Sequence, residues 1–548
     1  MNRKEFLTKL GLTSFGLLIG RSMIGKQLLL PTYINRGHSY INRGHFTNIL
    51  VGTGYGNAVV AERLANAGHQ VLMIEMGLDW EGYKLKNPHF KFYKMTSPGK
   101  ESTWMNKSTQ APIGLGNMNS FDKFTGILER KDFANIKIYL GRGVGGGSLV
   151  NGGMTVTPKK EYLKEVYDKV GVSLPVDELY DTYFPLANHS LGKNLVPDDV
   201  YNSEWYTFSR MGIEEGTNSG FTPVIVPNLY DFDYMRDEIA GKVPRSATNV
   251  EVIYGNNYGK RDLTKTYLKR ALDTGNVTII PQHKVDYIEA LPSGEYALVV
   301  KQIDTLNREV GVKKFTCDKL YLGAGSLGTT ELLLKSKALN KLPNINDEVG
   351  KYWGNNGNTM ASRYTAFVLG HHSRGNYQST MPVRGLDNFN DVNYPFFAEI
   401  APMPVFGTYT ALYLVVSKVD KFGSITYDLD KQKIALDWDT THNNHMRKNA
   451  EYFLSKMNQN GSTGWFNNKY VNNTILLPKN GVDETICYHP LGGCVLGKVT
   501  DLHGRVHGYN NLYVTDGSLI PGSLGVNPYV TITALSEYCI DTILKNDY

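Results

Sequence analysis

The chain of 548 residues lacks several features that would each have decided its class. Its four cysteines show no metal-ligand spacing and are too few for a disulfide framework, so neither a metal site nor a disulfide-rich fold is expected. The net charge of +6 is spread without a Lys/Arg block, which argues against a nucleic-acid partner. Beyond the N-terminus, no apolar run is long enough to span a bilayer. An ordinary globular protein remains, and two domains are expected at this length.

Glycine, by contrast, is abundant, and its first cluster follows a short apolar run at 48–51. Gly52, Gly54 and Gly56 in this position are typical of a strand, a tight turn and a helix whose N-terminus binds a pyrophosphate. A second apolar run ends in Glu75, about 20 residues further on, where an acid accepts the ribose hydroxyls of NAD or FAD. The sequence departs from the usual dinucleotide-binding pattern of three glycines at one position, where Asn57 stands in place of the third glycine. We therefore predict a dinucleotide site rather than an ordinary glycine-rich turn.

Residues 1–45 are predicted to be an export signal and linker. A charged start precedes an apolar segment at 10–20 that is too short to span a bilayer, and Arg3-Lys4-x-Phe6-Leu7 resembles a variant of the twin-arginine signal. The expected location is therefore periplasmic or secreted, by the twin-arginine route. An amphipathic N-terminal helix is the alternative.

Two further stretches before residue 160 suit ligand binding. Residues 80–120 are aromatic and polar without periodicity, which is typical of a lid or binding loop. The glycine-rich run 141–154 leaves backbone N–H groups uncovered and allows the chain to lie against a flat or anionic ligand. The segment 162–191 then has a helical, polar-faced pattern.

The second half of the chain predicts a sheet of a different kind. Short β-branched runs lead to a further strand, glycine turn and helix pattern at 322–328, which would bring a second backbone edge to the cofactor. From 357 to 438 the apolar residues alternate, as in 410–417, and this favours an antiparallel sheet.

Three residues could carry chemistry. His489 lies between a tyrosine and a Pro-Leu-Gly-Gly run, in a rigid loop, and an unperturbed imidazole titrates near neutrality; the alternative is a buried structural histidine. Asn527 precedes a proline and an apolar-periodic stretch, so it is also a good helix N-cap. Glu399 lies in the nearly uncharged run 394–404, where desolvation should raise its pKa and make it a usable base, unless it is a surface glutamate.

From about Phe46 to its end, the chain resembles the glucose-methanol-choline (GMC) oxidoreductases. Within them it is similar to the bacterial cholesterol oxidases that hold FAD non-covalently, most specifically in 396–404 and around His489. The resemblance implies an α/β (α+β overall) fold, in which a Rossmann-like FAD-binding domain is intertwined with a substrate domain built on a mainly antiparallel sheet. The implied boundaries are 46–80, 258–354 and 482–548 for the FAD-binding domain, and 81–257 and 355–481 for the substrate domain.

The same resemblance implies oxidation of a sterol 3β-hydroxyl with O2 to give H2O2, followed by isomerisation of the 5-ene-3-one to the 4-ene-3-one. His489 would hydrogen-bond the hydroxyl, Asn527 would polarise the flavin or the substrate oxygen, and Glu399 would move a proton from C4 to C6. Val150 stands where covalently flavinylated relatives carry a histidine, so FAD should be non-covalent. The residues implied to surround FAD are Gly52, Gly54, Tyr55, Gly56, Glu75, Gly147, Asn151, Gly152, Met154, Val285, Gly517, Asn527 and Tyr529.

The expected partners are a sterol, O2 and, transiently, a membrane surface touched by apolar residues of 80–120 such as Trp104 and Met105. The protein is expected to be a monomer. Two alternatives stay open: a GMC dehydrogenase that passes electrons to a quinone, and a lipid-binding flavoprotein that has lost catalysis. The presence of His489, Asn527 and Glu399 weighs against the second alternative.

Overall fold

A computed structural model describes residues 44–87, 99–107, 121–248, 258–364, 377–402, 410–419, 421–460 and 486–548. The predicted export signal lies outside the described residues, as do Phe90, Phe92, Tyr93 and Met95 of the predicted lid. In the part of the chain that is described, no helix is both long and apolar enough to cross a bilayer.

The regular elements are numbered in chain order. The strands are β1 His45–Val51, β2 Val71–Ile74, β3 Leu128–Phe133, β4 Ile136–Gly141, β5 Thr222–Ile225, β6 Val277–Ile280, β7 His283–Ala290, β8 Tyr296–Ile303, β9 Glu309–Leu322, β10 Asn358–Tyr364, β11 Arg384–Asp387, β12 Phe396–Ala401, β13 Thr410–Ser417, β14 Ser424–Asp428, β15 Lys433–Asp437, β16 Ile486–Cys487 and β17 Leu512–Val514. The α-helices are α1 Tyr55–Asn66, α2 Trp80–Lys86, α3 Lys160–Asp168, α4 Val176–Glu178, α5 Phe184–Leu191, α6 Asp198–Tyr201, α7 Thr207–Asn218, α8 Phe232–Ile239, α9 Tyr267–Asp273, α10 Gly325–Ala338, α11 Asn444–Asn460 and α12 Tyr529–Asn546.

The larger sheet has the strand order β6-β2-β1-β9-β8-β7, and β17 also pairs with β9. Its β6, β2, β1, β9 and β17 are parallel, whereas β7 and β8 pair in antiparallel fashion. β2 is buried along its whole length, because parallel strands are covered by helices and read as continuous apolar runs. Val51 pairs with both Ile74 and Leu322. The loops that follow β1, β2 and β9 therefore begin side by side at one edge, where α/β sheets bind ligands.

The second sheet has the order β10-β13-β12-β11-β5, and each pair is antiparallel. Its central strand β12 is buried on both faces. Ala398 and Ile400 pack in a core with Met211 of α7 and Phe453 of α11. Because side chains alternate along a strand, Glu399 between them points to the opposite face. A mixed sheet beside an antiparallel one confirms the predicted fold class.

Two sequence-based expectations need correction. The helical segment 162–191 is interrupted between α3 and α4, because Gly171 adopts a φ of 73° and Pro175 precedes the next helix. The stretch 80–120 begins with α2 rather than with irregular chain. In it, Trp104 is only 6% exposed and its N–H donates to Leu128 O over 2.7 Å, so it is a poor candidate for membrane contact.

Candidate active site

The glycine-rich turn after β1 allows three segments to meet closely. A Cβ on Gly52 would lie 2.3 Å from Gly323 O, and one on Gly56 would lie 1.7 Å from Thr515 O. Neither position tolerates another residue. Gly54 is different, because a Cβ there would meet nothing within 4 Å, and this residue is the N-cap of α1 without a side-chain capping bond. The N-terminal N–H groups of α1 are therefore uncapped beside a cavity, as anion binding requires.

Asn57 takes the place of the fingerprint's third glycine and is fully buried. Its Nδ2 donates to Val51 O over 2.9 Å and to Gly52 O over 3.1 Å, while Oδ1 accepts a bond from Thr515 Oγ1 over 2.7 Å. The space for this side chain comes from Gly323, whose Cβ would lie 2.4 Å from Asn57. Helix α1 and the sheet therefore still approach closely, because the glycine that makes this possible is Gly323, directly after β9, and not residue 57.

Glu75 ends β2 at the same edge and lines the cavity. Its carboxylate accepts a bond from Thr53 Oγ1 over 2.7 Å and one from Gly77 N–H over 2.9 Å. Burial raises its pKa above the ordinary value, and these two donors act in the opposite direction. Each carboxylate oxygen has two lone pairs, so capacity remains for the ribose hydroxyls predicted from the sequence.

The second glycine-rich run faces a pair of stacked tyrosines. The rings of Tyr55 and Tyr529 lie 4.9 Å apart at 16°. Asn151 Nδ2 donates to the Tyr55 hydroxyl over 2.6 Å, and the Tyr529 hydroxyl donates to Gly153 O over 3.0 Å. Both bonds tie the side chains to the run that begins at β4. The Tyr529 hydroxyl therefore fastens this loop.

His489 follows β16 and lines the cavity. Although the residue is only partly buried, desolvation by the surrounding protein lowers its pKa to about 3. The expectation of titration near neutrality is therefore wrong, since desolvation disfavours the charged ring. Its Nδ1 lies 3.4 Å from Asn356 Nδ2 rather than against a carbonyl. His489 is thus a neutral imidazole with one ring nitrogen held by an amide.

Glu399 is 0% exposed at the centre of β12, which excludes the surface alternative. Burial raises its pKa to about 8, in the direction expected from its apolar neighbours. Asn527 Nδ2 donates to Oε2 over 3.4 Å, and Oε1 has no partner among the described residues. The carboxyl group is therefore a base of near-neutral strength inside the protein.

Asn527 does not cap α12. That helix begins at Tyr529, its N-cap is Pro528, and no side-chain capping bond is present at this end. The amide turns instead to Glu399, which is why the N-cap expectation is wrong. Its Oδ1 is buried without a partner in the described part of the chain. The uncapped start of α12 lines the cavity together with Asn527.

All of the residues predicted to bind cofactor or to act in catalysis line one continuous cavity of about 660 Å³. The turn 323–328 lines it as well, at the second backbone edge expected from the sequence. The roles of these residues stay predictions, but the chain brings them together from both sheets.

Sequence reasoning missed His283, which lines the cavity two residues before Val285. Its Nδ1 lies 2.7 Å from Pro281 O and so carries the proton, which leaves Nε2 as a bare acceptor. Nε2 is buried and has no partner among the described residues, and the His283 N–H donates to Glu75 O. The spacing of two along a strand, which places His283 and Val285 on one face, is the signal that could have found it.

These groups fit an adenine dinucleotide. The uncapped start of α1 suits a pyrophosphate, Glu75 suits the ribose hydroxyls, and the bare Nε2 of His283 suits a donor such as the adenine amino group. The residues toward Glu399 and His489 would hold the flavin end.

Comparison with known proteins agrees with this arrangement. Family models described as "GMC oxidoreductase" match residues 123–351 and 420–536, and one described as "GMC oxidoreductase, C-terminal" matches 356–468. A cholesterol oxidase of Acinetobacter baumannii is 23% identical, over 92% of this chain and 95% of that protein. A cholesterol oxidase of Mycobacterium tuberculosis strain H37Rv is 24% identical, over 89% of each chain.

Solved structures agree in fold at low sequence identity. Pyridoxine 4-oxidase from Mesorbium loti has a TM-score of 0.59 at 14% identity, over 92% of this chain and 100% of that one. An FAD-dependent oxidoreductase from Chaetomium thermophilum has a TM-score of 0.62 at 14% identity, over 92% and 99%. The family implies FAD as the cofactor. The chain belongs to the GMC oxidoreductase family.

Proposed function

We propose that the protein oxidises the 3β-hydroxyl of cholesterol or a related sterol with O2, releases H2O2, and isomerises the 5-ene-3-one to the 4-ene-3-one. The observation that carries this proposal is a buried carboxyl group, Glu399, in contact with Asn527 inside the cavity that His489 also lines. Simple alcohol oxidation does not call for such a carboxyl group, but an enone isomerisation does. The two relatives named cholesterol oxidase support the same substrate class.

The residues of this chain would divide the work between the two steps. FAD, when bound, supplies the two-electron acceptor. His489, as a neutral imidazole, would hydrogen-bond the sterol hydroxyl and orient it. Because the pKa of His489 is lowered to about 3 and that of Glu399 is raised to about 8, Glu399 is much the stronger base. It is the group suited to take the C4 proton of the ketone and to return it at C6.

The test is an assay of purified holoprotein with cholesterol, following peroxide release and the absorbance of a conjugated enone. We expect both signals in the wild type. His489→Ala should lower sterol oxidation by at least about 10²-fold while FAD content is unchanged. His69→Ala, which removes a histidine that packs on Tyr548, is the matched control and should keep full activity.

The outcomes separate the alternatives. Flavin reduced by cholesterol, but reoxidised by a quinone and not by O2, would replace the oxidase with a dehydrogenase. Bound FAD that cholesterol does not reduce would overturn the proposal and favour a lipid-binding flavoprotein.

We also propose that FAD is held non-covalently. Val150 lines the cavity at the position where covalently flavinylated relatives carry a histidine, and valine cannot form that bond. Acid precipitation should release intact FAD into the supernatant. Flavin that stays with the precipitated chain would contradict this assignment.

Export, a monomeric state and transient membrane contact complete the proposal. Sterols are nearly insoluble in water, so the protein must draw them from a bilayer. With Trp104 buried, other residues of the stretch 80–120 would have to make the contact. The rate on sterol in vesicles should then be higher than the rate expected from the concentration of free sterol in water. Gel filtration should give the mass of one chain. Fractionation of expressing cells tests export.

A further inference from the structure

Asn356 is a buried asparagine whose backbone N–H and side-chain amide are both hydrogen-bonded. It is 0% exposed and adopts a φ of 58°, in the left-handed region that asparagine tolerates better than most residues. Its N–H donates to Gly522 O over 3.0 Å. Its Oδ1 accepts a bond from Leu524 N–H over 2.7 Å, and Nδ2 donates to Val526 O over 2.7 Å. The side chain therefore clamps the backbone that leads into Asn527.

The same amide also determines what faces His489. Turning the amide over would place its oxygen against Val526 O and its NH2 group against the Leu524 N–H, so these two bonds fix the orientation. The second hydrogen of Nδ2 then lies toward His489 Nδ1, at 3.4 Å between the nitrogens. A ring nitrogen that accepts a hydrogen bond carries no proton, and a neutral imidazole must then carry its proton on Nε2.

We propose that Asn356 is a positioning residue for the active site: it holds neutral His489 as the Nε2–H tautomer and fixes the loop that carries Asn527. Only the expected kinetic effect rests on the proposed function. The tautomer of His489 can be measured without substrate. The Nε2–H group is then the donor that His489 offers to a substrate oxygen. One side chain would thus set the geometry of two predicted catalytic residues.

The neighbouring asparagine provides a matched control. Asn355 is equally buried, but its Oδ1 accepts a bond from Gly357 N–H over 3.0 Å and its Nδ2 donates to Asn358 O and Ile486 O. These bonds all go to backbone, and none of them reaches His489. Asn355→Asp therefore introduces the same charge change one residue away from the proposed contact.

The tautomer can be read by long-range ¹H–¹⁵N NMR on holoprotein labelled at histidine, with the His489 signals assigned by their loss in His489→Gln. We expect Nε2–H in the wild type and in Asn355→Asp. In Asn356→Asp an oxygen replaces the donor at Nδ1, so we expect a proton on Nδ1. A wild-type protein with Nδ1–H, or Asn356→Asp with the wild-type pattern, would overturn the inference. If Asn356→Asp does not fold, the wild-type tautomer still decides.

The kinetic arm compares the same variants on cholesterol. Loss of the correct tautomer should lower kcat by at least about 10²-fold in Asn356→Asp, with a much smaller change in KM, because histidine tautomers weigh heavily in proton-coupled steps. A loss of equal size in Asn355→Asp would mean that Asn356 acts through the fold alone, which contradicts a positioning role. A wild-type protein without activity on cholesterol would refute the sterol oxidase proposal. The role of Asn356 would then be tested by the NMR experiment alone.

Discussion

Two groups of buried polar side chains, one at the start of α1 and one around Glu399, differ in their hydrogen bonding. The first group is bonded within the protein, whereas the second has atoms without a partner. Asn57 makes three hydrogen bonds within the protein, and Glu75 is held by Thr53 and Gly77. Around β12, by contrast, Glu399 Oε1 and Asn527 Oδ1 have no partner among the described residues. The two regions line the same cavity.

This difference separates structural polar groups from those reserved for a ligand. A buried polar atom without a partner costs about 1–3 kcal/mol, so an unpartnered atom of a residue that lines a cavity is a candidate for a bond to a ligand. We infer that the polar side chains around α1 are fixed by the protein itself before the cofactor binds, whereas those around Glu399 keep atoms available for the reacting molecule.

The largest effect is expected where backbone approaches backbone. Gly56→Ala places a Cβ 1.7 Å from Thr515 O, a contact that cannot be relieved by moving a flexible side chain. It should destabilise the protein by at least about 3 kcal/mol and abolish FAD binding. Thermal unfolding and FAD content measure both. Gly54→Ala is the control: its Cβ meets nothing within 4 Å, so it should fold normally and lose FAD affinity alone. Equal stability of the two variants would contradict the close backbone contact assigned to Gly56.

Glu399→Gln should separate the two chemical steps. It should lower isomerisation by about 10²–10⁴-fold, so that the 5-ene-3-one accumulates while oxidation continues. In the wild type, isomerisation should rise with pH through about 8, because only the carboxylate is a base. Product analysis by chromatography across this range decides. Isomerisation at the wild-type rate in Glu399→Gln would assign the base elsewhere.

The same variant predicts a change in stability. The pKa of Glu399 is raised in the folded state from its ordinary 4.5 to about 8, so the unfolded chain loses this proton first as pH rises. Wild-type stability should therefore fall relative to Glu399→Gln by up to about 1.4 kcal/mol per pH unit in that window. The two apoproteins should differ little below pH 4.5. A constant difference at all pH values would refute the raised pKa.

Asn57→Gly restores the residue that the dinucleotide fingerprint expects, yet it should destabilise this protein. Three buried hydrogen bonds are lost, which should lower the free energy of unfolding by about 2–3 kcal/mol. Asn66→Gly, at the exposed end of the same helix, controls for helix propensity and should cost about 1 kcal/mol or less. Equal losses in chemical denaturation would show that the bonds of Asn57 add nothing.

Tyr529→Phe should have the smallest effect. The ring can still stack on Tyr55, and only the bonds to Gly153 O and Thr155 are lost. We expect about 1 kcal/mol less stability, with FAD still bound. Loss of FAD in this variant would contradict this expectation and show that cofactor binding depends on the bond between the Tyr529 hydroxyl and Gly153.

The two regions also differ in how far they could be predicted from sequence. The strand, turn and helix around Gly52 and the acid at Glu75 are local patterns, and the pKa of Glu399 follows from its apolar neighbours in the chain. The orientation of Asn527 and the contact between Asn356 and His489 depend on packing across more than one hundred residues, with a separation of 133 in the latter pair. Desolvation of His489 likewise arises from tertiary packing, which is why the sequence predicted an unperturbed pKa and not the lowered one.

The most direct test is a single-turnover experiment in which wild-type holoprotein and Glu399→Gln are mixed anaerobically with cholesterol in a stopped-flow instrument. The visible flavin absorbance is followed, and the steroid product is then identified. We predict bleaching in both proteins, with the 4-ene-3-one from the wild type and the 5-ene-3-one from the variant. Wild-type flavin that stays oxidised, or the 4-ene-3-one from both proteins, would contradict it.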